Sequence, residues 1–167
     1  MTGKLQARNL PGMARRPVLE YVQEFEFPLA PPELWDLIEQ VDQFERWWPW
    51  LEDFHLEGPG LVAGSVLSGV VSPPIPYRMR IRVELIRCER PTEIRAIIQG
   101  DLEGSARLGI RPGSAGSSLV EVAWTIEMMQ MAMRLADRVA HPLLQWGHDR
   151  VVEITVARFR QRIDSGH

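Results

Sequence analysis

A single cysteine, Cys88, stands in this 167-residue chain, and that scarcity excludes an intrachain disulfide framework and any multi-cysteine zinc or iron–sulfur centre. Such a chain suits a reducing compartment, so a cytoplasmic localisation is expected. Lysine is equally scarce: Lys4 is the only one among 19 basic residues. Long apolar runs are missing too. No stretch approaches the roughly eighteen unbroken apolar residues of a membrane helix, and Met1 to Arg16 lacks the apolar region of a signal peptide. No integral membrane segment is therefore expected. Excess positive charge is also absent. With a formal net charge of -3 and a pI near 5.8, no overall positive field draws in nucleic acid, which is excluded as a partner.

The strings that announce common chemistries are likewise missing. No GxSxG, HExxH or P-loop pattern occurs, so the hydrolase, zinc-protease and nucleotide-phosphate chemistries built on them have no support. Gly58 to Gly64 reads GPGLVAG, with glycine spacing unlike the dinucleotide fingerprint and Pro59 inside it, so it is expected to form a turn. His55, His141, His148 and His167 are scattered. His141 and His148 share a helix side but lack a close carboxylate pair, a poor donor set for a metal. Neither a metal nor another cofactor is expected.

What the chain does have is a hydrophobic content of 45%, enough for one ordinary core. Residues 1 to 17 are rich in Gly, Pro and Arg and read as a flexible leader, with one domain over residues 18–164. Leu19 to Phe27 alternates apolar with Glu20, Glu24 and Glu26, the pattern of a half-buried first strand. Pro31 and Pro32 open a helix through Trp35 and Ile38 to about Val41. A short second helix or turn follows, carrying Trp47, Trp48, Pro49 and Trp50. Leu51 to Val71 reads as two strands around a glycine-rich turn. After the Ser72 to Pro76 breaker, Tyr77, Met79, Ile81, Val83 and Leu85 alternate with Arg78, Arg80, Arg82 and Glu84. Three further strands are expected at Glu93 to Gln99, Leu102 to Arg111 and Ser118 to Met129. The tail from Met131 to Ile163 is helical, with an interruption expected at His141 and Pro142. It carries two apolar stripes, Leu135, Val139, Leu143 and Trp146, then Val152, Val156, Phe159 and Ile163. Strand, two short helices, six strands and a long helix make a segregated α+β order rather than a parallel nucleotide-binding sheet.

Three segments carry a family likeness: APPELWDLIEQVDQFERWWPW (Ala30 to Trp50), QGDLEGSARLGIRP (Gln99 to Pro112) and HPLLQWGHDRVVEITVARF (His141 to Phe159). From about Val18 to Ile163 the chain resembles the START-like superfamily, specifically the bacterial polyketide cyclase/dehydrase and lipid-transport group also called SRPBCC. The resemblance implies a helix-grip (Bet v 1/START-like) fold, in which a curved antiparallel sheet of about seven strands grips the C-terminal helix around a ligand cavity. It also implies a hydrophobic small molecule, lipid or polyketide-like, as the partner, held by a carrier or sensor. Cyclase, aromatase or dehydratase activity is the alternative, and an interaction module with a collapsed core a third.

Ligand-binding candidates follow from the face each side chain shares. Trp47 and Trp48 form an aromatic platform or anchor a helix to the core. Tyr77, Met79 and Ile81, with Leu108, Trp124 and Ile126 on neighbouring strands, serve equally as plain core or as cavity wall. On the last helix, Leu143 and Trp146 lead along one stripe to Arg150, which would meet a ligand carboxylate inside or pack its stem and pair with Glu153 or Asp149 outside. His148 opens the second stripe and would offer a hydrogen bond inside. In the enzymatic alternative, Tyr77, His148 and Arg150 supply the acid, base or enolate stabiliser.

Overall fold

The computed structural model describes residues 18–74, 77–129 and 131–166 and, in the last of these, the side chains of Pro142 and of residues 145–166. The leader expected over residues 1 to 17, the end of the breaker at Pro76, and the side chains of Leu135, Val139, His141 and Leu143 lie outside the described residues.

The first strand, β1 (Val18–Phe27), is followed by a helix α1 (Pro31–Ile38), a short turn of 3-10 helix and a one-turn helix α2 (Phe44–Trp47). Both prolines sit in the first turn of α1, where a missing N–H costs nothing. The Glu33 carboxylate accepts the Ala30 backbone N–H at 3.1 Å and closes the helix start. Leu34 and Trp35 are fully buried, and the Trp35 indole donates to Glu39 at 2.7 Å, so this large side chain enters the core with its one donor satisfied.

Six more strands follow: β2 (Leu51–Glu57), β3 (Val66–Val71), β4 (Met79–Glu89), β5 (Glu93–Gly100), β6 (Leu102–Pro112) and β7 (Ser118–Met128). They form one curved antiparallel sheet in the order β1-β7-β6-β5-β4-β3-β2. Gly100 and Gly104 permit a close approach between strands: both have positive φ, and a Cβ would lie 2.5 Å from the Arg80 carbonyl oxygen at Gly100 and 1.9 Å from that of Thr125 at Gly104.

Register sorts the side chains. Tyr21, Trp124, Ala106 and Ala96 lie in one cross-strand row on the inner face, and Leu19, Ile126, Gly104, Ile98 and Val83 in the next. The outer face is charged. Glu93 is surrounded there by Arg107 at 2.8 Å, Arg95 at 3.1 Å and Arg87 at 3.3 Å. The Arg107 hydrogen bond, with help from Arg95 and Arg87, holds the Glu93 carboxyl below the usual range. Arg78, just before β4, bonds Glu52 of β2, and Arg82 lies 3.8 Å from Glu84 of its own strand.

The last helix, α3 (Met131–Ser165), runs uninterrupted through Pro142. This corrects the expected break. Pro142 is exposed, so its ring lies on a side where the helix needs no partner for packing. From the far end, Phe159 and Ile163 enter a core with Phe27, Trp35, Trp47, Leu51 and Val120.

Candidate functional site

Two ends of the inner face differ. At the end nearer α1 and α2, the tryptophan cluster fastens the chain to α3. Trp47 is buried, with its ring 5.9 Å from that of Phe159. Trp48 and Trp50 stack at 5.8 Å. Their indole N–H groups donate to the Thr155 carbonyl at 3.3 Å and the Thr155 hydroxyl at 3.0 Å. Both of these donors have a fixed acceptor on α3, so the cluster acts as an anchor.

At the other end, β1, β7 and α3 bring three rings together. Tyr21 and Trp124 are opposite residues on paired antiparallel strands, so their rings stack at 4.4 Å. The His148 ring meets both edge-on, at 5.1 Å from Tyr21 and 5.4 Å from Trp124. His148 follows the phase of Val152, Phe159 and Ile163, which turns it toward the sheet and leaves only 13% of its side chain exposed. Its Nδ1 lies 3.2 Å from an Asp149 carboxylate oxygen. The Tyr21 hydroxyl donates to Gln23 Oε1 at 2.5 Å. Burial, assisted by the Asp149 charge, pushes the Tyr21 pKa up to about 12. The phenol therefore stays a neutral donor through the physiological range.

Two polar atoms of this group, Trp124 Nε1 and His148 Nε2, are covered and have no hydrogen-bond partner among the described residues. Around them the lining is adaptable. Met79, Ile126 and Met128 are buried in one cluster with Leu19, and Tyr77 and Trp124 pack against it half-buried. Ile81 and Leu108 are half-buried on the same inner face. Beside Tyr21 a groove of about 570 Å³ opens between β1 and α3, with Gln23, Phe25, Val152 and Val156 in its walls.

Two expected site residues fall elsewhere. Trp146 is 52% exposed, and Arg150 is exposed and bonds Glu153 at 3.1 Å. Both lie off the inward phase of α3 set by His148 and Val152. Leu143, the remaining expected site residue on α3, lies outside the described side chains. Tyr21, Gln23 and Asp149 are not among the expected site residues. Tyr21 carries one legible signal, a hydroxyl on the apolar face of the first strand. Among the described residues, no group of three or more His, Cys, Asp or Glu side chains suits a metal ion, and no helix is long and apolar enough to cross a membrane.

No family model and no curated protein sequence matches the chain. Solved structures do match its shape. The protein TTHA0849 of Thermus thermophilus superposes with a TM-score of 0.71 at 16% identity, over 88% of this chain and 98% of that one. A START superfamily protein of Mycobacterium smegmatis gives 0.68 at 14% identity, over 89% and 99%. The chain has the helix-grip fold of the START-like superfamily. Truncated norcoclaurine synthase of Thalictrum flavum shares the fold at a TM-score of 0.62 and 10% identity, over 91% of this chain and 97% of its own. Identities this low carry the fold and leave the chemistry to the residues themselves.

Proposed function

We propose that this protein binds a hydrophobic small molecule, lipid-like or polyketide-like, between the inner face of the sheet and α3, as a carrier or sensor. One observation carries the reading. The middle of the inner face is built from small residues, Gly104, Ala106 and Ala96, and the apolar side chains around them, Ile81, Val83, Ile98, Leu108 and Val122, are only half-buried. A collapsed core would bury such residues fully. A cavity that keeps them partly accessible is the usual setting for an apolar ligand. The anchoring of the tryptophan cluster to Thr155 speaks against the interaction-module reading. A single free thiol suits a carrier working in the cytoplasm.

Catalysis is the second reading, favoured by the contact of the Tyr21 ring with that of His148. A neutral phenol and an imidazole on neighbouring rings would act as acid and base on a substrate within hydrogen-bond reach of both. Norcoclaurine synthase, named as a synthase, has the same fold. In this reading Tyr21 takes the role expected of Tyr77.

Titration with environment-sensitive apolar dyes tests binding. The expected result is saturable binding at about micromolar concentration, since a partly formed cavity limits the ordering cost. Absence of binding across dyes, fatty acids, sterols and aromatic polyketides would contradict the proposal.

A further inference from the structure

We infer that the ligand presents a neutral hydroxyl, an alcohol or phenol, to Trp124 Nε1 and His148 Nε2; the inference rests on the binding reading above and names its ligand class. The two atoms are complementary. Indole Nε1 only donates. His148 turns its Nδ1 toward the Asp149 carboxylate at 3.2 Å; the tautomer that donates from Nδ1 to that carboxylate keeps a lone pair on Nε2. One atom therefore needs an acceptor and the other a donor, and a hydroxyl is both.

Both atoms are covered and unpartnered among the described residues, on rings whose centroids lie 5.4 Å apart. Buried polar groups rarely stay unpaired in native proteins, and those that do call for a partner. The apolar neighbours can yield to one: Met79 and Met128 sit in the cluster against which Trp124 packs, and unbranched thioether chains repack readily.

A carboxylate fits badly. The groove beside Tyr21 carries Glu24, Glu26, Asp149 and Glu153 against one arginine, Arg160. Two of the three arginines around it are paired with carboxylates. Arg150 holds Glu153, Arg111 holds Glu24, and Arg160 lies over the Phe27 ring at 5.7 Å. Among the described residues, one guanidinium without a carboxylate partner, Arg160, faces four carboxylates in the groove, so the net charge there is adverse to an acid that enters by this route.

Calorimetric titration of four naphthalene probes separates the possibilities: naphthol, methylnaphthalene, naphthyl methyl ether and naphthoate. Naphthol should bind roughly tenfold more tightly than methylnaphthalene, the gain expected of hydrogen bonds that engage buried unpaired groups. The ether, which accepts but cannot donate, should fall toward methylnaphthalene, and naphthoate should bind weakest. His148→Phe should lower the ratio of naphthol to methylnaphthalene affinity toward the ratio of the ether to methylnaphthalene, because Trp124 remains to donate but no acceptor is left for the hydroxyl. The ether comparison needs no variant, so it decides the matter even if His148→Phe does not fold. Equal affinities for naphthol and methylnaphthalene would overturn the hydroxyl inference and leave apolar binding standing. No binding by any probe would overturn both.

Discussion

The two ends of the inner face use the same kinds of residue to opposite effect. Near α1 and α2, Trp35, Trp48 and Trp50 each direct an indole N–H to a fixed acceptor, and Trp47, Phe159 and Ile163 close the space between sheet and helix. Near Tyr21, by contrast, an indole and an imidazole each keep a covered atom without a partner among the described residues, and small residues replace large ones on the sheet. Packing and polar satisfaction go together at the first end, which stabilises the fold. At the second both are incomplete, which costs stability and leaves a place for another molecule.

The contrast predicts where mutation hurts most. Trp35→Ala should destabilise the protein by about 3–5 kcal/mol in urea unfolding, as expected for a fully buried aromatic. Trp124→Phe, which deletes an unpaired N–H and keeps a ring, should cost less than about 1 kcal/mol. Comparable losses would erase the distinction between the ends. Tyr21 gives an effect of intermediate size. Its folded pKa of about 12 lies above the ordinary 10.0, so the folded state favours the neutral phenol. That contribution is complete below pH 10 and is lost as pH rises from there toward 12, a loss of about 2–3 kcal/mol by linkage. Tyr21→Phe should flatten this alkaline decline, and an unchanged slope would show that the phenol is not shielded.

Smaller effects sharpen the same boundary. Thr155→Val removes the hydroxyl that accepts from Trp50 and should cost about 1 kcal/mol. Arg150→Met should stay within about 0.5 kcal/mol, because an exposed ion pair with Glu153 contributes little. It should also leave the ratio of acidic to neutral ligand affinities unchanged, as an outward arginine requires.

The sheet is legible in the sequence because its strands alternate cleanly: Leu19 to Phe27 and Val120 to Met128 declare their inner faces by period two. Pro31 and Pro32 mark the start of α1 for an equally local reason. The last helix is harder. Its two apolar stripes lie on different sides, and periodicity does not say which one the sheet grips, so spacing alone puts Arg150 and Trp146 inward beside Leu143. Spacing does put His148 in phase with Val152, yet its meeting with Tyr21 depends on the pairing of β1 with β7, which brings Tyr21 opposite Trp124. Such a contact is long-range and leaves no spacing signal. The proline at 142 implies an interruption by its usual effect, which the continuous helix overrides.

The central claim is that a ligand occupies the Tyr21 end and not the tryptophan end. Calorimetric titration of one apolar ligand at several temperatures, on wild type, Ala106→Phe and Phe159→Leu, tests it most directly. The account predicts a negative heat-capacity change in the wild type, the mark of apolar burial. Binding should weaken by about tenfold or more in Ala106→Phe, where a new ring takes up space on the floor beside Trp124. Phe159→Leu should bind as the wild type does, whatever its stability. Binding that survives Ala106→Phe and fails in Phe159→Leu would contradict the account.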